Sequence, residues 1–188
     1  MYLVVQKRCV NRNSVAFCLD EMANAAPAEY KKKIIQTFLS SSYVGVRKRG
    51  LKQLYVCWDK AFEDQITTIW HIHRDLIATK LIIENFPTTF LKSHFLELES
   101  QVKKYHHRIR LLLYERTYPS CTEHLAKLAQ EDGITYAYIS AKLGVVLSIK
   151  EAQQLADQYA TSERVGILIW ALGIMQHWKI LARMYNKL

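Results

Sequence analysis

Pro119-Ser120-Cys121-Thr122-Glu123-His124-Leu125-Ala126-Lys127-Leu128-Ala129-Gln130-Glu131-Asp132-Gly133, with Tyr138-Ile139-Ser140-Ala141-Lys142-Leu143-Gly144 shortly after it, decides how this chain folds. Proline lacks an N–H and fixes its own φ, so in a helical chain it suits the first turn of a helix. Glu131-Asp132-Gly133 is a polar turn. Beyond it Ile139, Leu143, Val146 and Leu147 recur at helical spacing on a wide apolar face. The stretch reads as two helices joined by a tight turn, a hairpin that cannot bury its apolar face alone.

The same reading extends outward. The prolines stand at 27, 87 and 119, so their intervals of 60 and 32 residues are near multiples of 30. That period predicts further helix starts near 59, 148 and 177. Asp59 is a cap candidate, Ser148-Ile149-Lys150-Glu151 has the form of a capping box, and near 177 there is only the break Gln176-His177. Polar turns at Ser40-Ser41-Ser42, Ile72-His73, Ser100 to Lys104 and Thr161-Ser162-Glu163 divide the other stretches in two. Their second helices carry dense apolar patterns, such as Val46, Leu51, Leu54 and Tyr55, or Ile109, Leu111, Leu112 and Leu113. Leu143-Gly144 and Leu172-Gly173 fall 29 residues apart, so the small residue that lets helices approach recurs in register.

Hairpins repeating every 30 residues or so are the signature of a helical repeat array. The stretch from Pro119 to Gly144 resembles a HEAT repeat: a proline-led first helix, Asp132 at the turn, then a second helix with small residues and Leu143-Gly144. Tyr43-Val44-Gly45-Val46-Arg47-Lys48-Arg49-Gly50-Leu51 resembles the V-R-x-x-A/G-L opening of a HEAT second helix. The resemblance implies an all-α fold, a right-handed α-solenoid of about five HEAT-like αα-hairpin repeats in a single domain spanning 1–188. The repeats are placed at 27–58, 59–86, 87–118, 119–147 and 148–176, with flanking helices 1–26 and 177–188. Either flanking segment offers an oligomer contact or a continuation into a longer array. A third helix per repeat, as in armadillo proteins, and the tetratricopeptide pattern are not matched; a non-repeating helical bundle is the alternative architecture.

Composition agrees with a helical core. Half of the 188 residues are apolar, with only 6 Gly and 3 Pro for turns, which excludes a disordered tail and argues against a β-sandwich. Tyr2 to Val5 is apolar, but Met1 to Val10 lacks the features of a secretory leader. Val165 to Met175, the longest apolar run, is about half of what a membrane crossing needs and reads as a buried helix. Cys9, Cys18, Cys57 and Cys121 lack zinc-ligand spacing and read as reduced core thiols, which places the protein in the cytoplasm.

A formal net charge of +9 calls for an anionic partner, and nucleic acid, an acidic protein segment or acidic lipid would each serve, since charge alone does not choose among them. Cations recur near the start of the second helices: Arg47, Lys48 and Arg49; Arg74; His106, His107, Arg108 and Arg110; and Arg164. Together with Lys31, Lys32, Lys33 and Lys52 they are the candidate binding residues. Positive charge at a helix N-terminus opposes the macrodipole, so the recurrence asks for a compensating use. His71-x-His73 and His106-His107 could meet across adjacent repeats, but no cysteine or carboxylate stands at a matching spacing, and no metal or other cofactor is expected.

The leading reading is a non-enzymatic scaffold whose basic ridge binds an acidic protein segment. The alternative is a nucleic-acid binder, similar to the HEAT-like alkylpurine DNA glycosylases in being small, basic and helical. Trp58-Asp59, Trp70, Trp170 and Trp178 supply the residue types of such an enzyme without its motif, and the tryptophans read first as core. Tyr105, Tyr114, Tyr118, Tyr136, Tyr138 and Tyr159, interleaved with arginines, could stack on bases or anchor a peptide.

Overall fold

The computed structural model describes residues 12–103 and 107–186, with side chains from 17 to 103 and from 108 to 186. Thirteen α-helices and no strand occur among them. They are α1 (Arg12–Ala25), α2 (Ala28–Leu39), α3 (Val44–Val56), α4 (Glu63–His73), α5 (Leu76–Asn85), α6 (Thr88–Ser93) and α7 (Phe95–Val102). Then follow α8 (His107–Thr117), α9 (Thr122–Glu131), α10 (Gly133–Lys142), α11 (Ile149–Gln158), α12 (Val165–Ile174) and α13 (Trp178–Tyr185). No described helix is long and apolar enough to cross a membrane.

Local chemistry explains most of the boundaries. Pro27 and Pro87 are the N-caps of α2 and α6, and Ser148 and Glu151 close a full capping box on α11. Asp59 caps a short 3-10 turn, Lys60–Phe62, by accepting the Ala61 N–H. Asp75 and Asp132 cap α5 and α10 through their side chains. Pro119 instead precedes its helix by a turn, since α9 is capped at Cys121. The break after Ile72-His73 falls at Arg74, which adopts the left-handed conformation at φ 47°, and Gln176 does the same at φ 62° between α12 and α13.

The chain divides into two compact units, Met1–Ile109 and Arg110–Leu188, a division that falls inside α8. In the first, α1, α3, α5 and α7 pack in succession, α2 packs on α1, α3 and α4, and α4 packs on α5. In the second, α10 packs on α9 and α12, while α13 packs on α11 and α12. Packing is thus mostly between neighbours or next-but-one neighbours along the chain, with Trp70 of α4 also reaching Gln101 of α7. The second unit buries Ile134, Ala137, Leu155, Leu168, Leu172, Ile180 and Met184 in one cluster. Gly133 is required there: a Cβ on it would lie 2.5 Å from Leu155 Cδ2 and 2.9 Å from Tyr159 Cε2.

Polar side chains tie helices together across 22 to 32 residues of sequence, and more than half of these ties span 29 to 32. Arg49 pairs with Asp20 and Gln53 Nε2 donates to Asn24 Oδ1, both across 29 residues of sequence. Gln65 reaches the Gln36 carbonyl across 29, Trp70 reaches Gln101 across 31, Arg183 reaches Gln153 across 30, and Arg164 reaches Thr135 and Asp132 across 29 and 32. These separations occur in both units.

Candidate interaction surface

The arginines among the candidate binding residues are mostly engaged in holding helices. Arg47, only 8% exposed, donates from Nη1 to the carbonyls of Ser41 at 2.8 Å and Ser42 at 2.9 Å, in the turn between α2 and α3. Those carbonyls offset the unfavourable macrodipole at the start of α3. Arg49 pairs with Asp20 on α1. Arg74 pairs with Glu97 at 2.6 Å and lies 5.3 Å from the centroid of the Trp70 ring. Arg164, the N-cap residue of α12, pairs with Asp132 at 3.2 Å and donates to Thr135 Oγ1 at 2.8 Å. Arg110 is buried and Arg108 exposed; His106 lies outside the described residues, as does the His107 side chain.

The lysines divide differently. Lys32 pairs with Asp59 at 2.7 Å, and its hydrogen bond, then that of the Ala61 N–H, holds the Asp59 carboxyl below its usual range. Lys33, Lys48 and Lys52 are exposed and Lys31 is half-buried; none of the four has an ion-pair partner among the described residues. Lys48 and Lys52 are four residues apart on α3, and Val44 and Tyr55 continue the same line at helical spacing, with Val56 beside it. All three apolar residues are exposed, Val56 at 80%. At the far end Tyr55, 43% exposed, is still covered enough that desolvation, then the carboxylates of Glu84 and Asp75, pushes its phenol well above its ordinary value. The outer face of α3 is therefore a strip of two free ammonium groups set among apolar side chains.

A second cluster joins α4 to the α6–α7 break. Trp70 is fully buried, its Nε1–H donating to Gln101 Oε1 at 3.0 Å, and the Phe90 ring stacks on His94 at 4.2 Å between centroids. His71 meets His94, at 5.9 Å between centroids. No group of three or more histidine, cysteine or acidic residues among the described residues is arranged to hold a metal ion. The tryptophans differ in placement: Trp70 is core and Trp58 half-buried, whereas Trp170 and Trp178 are 39% and 64% exposed. Of the described tyrosines in the later stretch of the chain, Tyr114 is buried, Tyr118 exposed, and Tyr136, Tyr138 and Tyr159 half-buried. Cys121 is buried as a core thiol, but Cys18 is exposed.

Asp132 ties the α9–α10 turn to α12 and gives stability a pH dependence. Burial raises its carboxyl, and hydrogen bonds from the Thr135 hydroxyl and amide, with Arg164, outweigh that and hold it below the usual carboxylate range. The unfolded chain therefore binds the proton more readily, so this contribution is present above about pH 4 and is lost as pH falls through the folded value. Urea unfolding at neutral and acid pH checks this. Asp132→Asn is expected to lower the midpoint at pH 7 and to flatten the acid loss; equal acid loss in both proteins would assign it elsewhere.

Comparison with protein-family models, with curated proteins and with solved structures found no match for the chain. The residues that the charge pattern alone passed over are apolar ones: Val44, Tyr55 and Val56 beside the lysines, and Tyr185 beside Trp178. Their signal is apolar residues on the polar side of a helix, visible only once the buried side is assigned.

Proposed function

We propose that the protein is a non-enzymatic, HEAT-like helical repeat protein that binds an acidic protein segment on the outer face of α3. The repeat reading is supported by the helix pairs and by the share of cross-links, more than half, that span 29 to 32 residues. The observation that carries the binding reading is the strip Val44, Lys48, Lys52 and Tyr55, in which two unpaired cations are flanked by exposed apolar groups. Such a strip offers an acidic peptide both charge pairing and apolar burial. Phosphate recognition favours the planar guanidinium fork, and most of the candidate arginines already donate to carbonyls or carboxylates of the chain itself.

Anisotropy titration of the full chain tests the reading, with a labelled peptide of interspersed Glu and Leu, duplex DNA and single-stranded RNA, across about 50 to 200 mM salt. The peptide is expected to bind, to keep some of its affinity at the higher salt, and to bind about tenfold or more weakly when Lys48 and Lys52 are both changed to Glu. Nucleic-acid binding with a steep salt slope and no peptide binding would replace this reading with the nucleic-acid one.

A further inference from the structure

Helix α13 carries one broad apolar face, and the second unit covers only part of it. Ile180 and Met184 enter that unit's core. Trp178, Leu181, Ala182 and Tyr185 form the adjoining line at the spacing i, i+3, i+4 and i+7, with Leu181 half-buried against the core and Trp178 64% and Tyr185 81% exposed. Together with Ile169 of α12, Met184 and Asn186 these residues line an open groove of about 490 Å³. The α12 side is low, because Gly166, Ile169 and Gly173 share a face: a Cβ on Gly166 would meet nothing within 4 Å, and one on Gly173 only Leu181 Cδ1 at 3.9 Å.

Charge specifies what the groove suits. From Val165 to Leu188 the sequence has no Asp or Glu, and Lys179 and Arg183 are exposed on α13 itself. A seam at that spacing is the counterpart of one apolar helix face laid into a groove; Lys179, next to Trp178 and one turn from Ala182, complements a carboxylate at one edge, while Arg183 is turned to Gln153 of α11. We propose that this groove docks an amphipathic helix whose apolar face is flanked by acidic side chains. The groove shares no residue with the α3 strip, and the proposal stands apart from the function of that strip.

The test titrates the full chain with a labelled synthetic helix carrying Leu at i, i+3, i+4 and i+7 and Glu beside them, and with the same helix carrying Lys for Glu. The Glu helix is expected to bind, and the Lys helix to bind about tenfold or more weakly. Trp178→Ala, Tyr185→Ala and Ala182→Glu, all at exposed positions, are each expected to lower affinity about tenfold with the melting curve unchanged. The Lys48→Glu, Lys52→Glu variant is expected to bind the helix as the parent does, which separates this proposal from the one above. Failure of the Glu helix to bind, equal binding of both helices, or binding indifferent to the α13 variants overturns it. Self-association in sedimentation that Trp178→Ala abolishes overturns it in favour of a second copy of the chain.

Discussion

Arg47→Glu is expected to cost about 3–5 kcal/mol, because it places an unpaired charge at a buried site, whereas Lys48→Glu, the next residue on α3, is expected to change stability by less than about 0.5 kcal/mol. The two side chains carry the same charge and differ in what they touch. Arg47 is buried and supplies two hydrogen bonds to the Ser41 and Ser42 carbonyls; a carboxylate there would face those carbonyls with no donor. Lys48 is exposed and has no ion-pair partner among the described residues. Urea unfolding followed by circular dichroism measures both, and equal losses would contradict the assignment. The contrast also governs how binding is tested, since a charge reversal at Arg47 reports unfolding and only reversals at exposed lysines report binding.

Trp70→Ala is expected to destabilise by about 3–5 kcal/mol, the range for truncating a large buried aromatic. Trp70 is among the largest fully buried side chains, with Phe90 and His94 edge-on to its ring. Truncation also leaves Gln101 Oε1 with only the Thr79 hydroxyl of its two donors. Trp70→Phe, which keeps most of the ring volume and loses the Nε1–H, is expected to cost about 1–3 kcal/mol. The same unfolding curves check both, and a loss as large for Phe as for Ala would place the stabilisation in the hydrogen bond.

The helix starts were legible because their causes are local. Pro27, Pro87, Asp59 and Ser148 act within a turn of where they stand, and the period of 30 located them. The break at His94 was not legible, because neither glycine nor proline marks it; the Ser93 hydroxyl and His94 Nδ1 instead converge on the Phe90 carbonyl. Val165 to Met175 reads as a buried helix, and α12 is one on the side of Leu168 and Leu172, while Trp170 and Ile174 face outward. The charge ladder was visible as charge alone. Whether a cation is satisfied depends on a carboxylate or carbonyl brought to it by folding, as Asp20 is to Arg49 from 29 residues away.

The local character of most of those cross-links bears on how the chain yields to mechanical tension. Within each unit a helix is tied mostly to its neighbours and next neighbours along the sequence, so pulling one hairpin free breaks its own ties and leaves those further along the unit in place. Thirty residues drawn straight span about 100 Å. A helix pair drawn out under tension is thus expected to release a length of that order, and force spectroscopy of a unit is expected to show extension in steps rather than one rip.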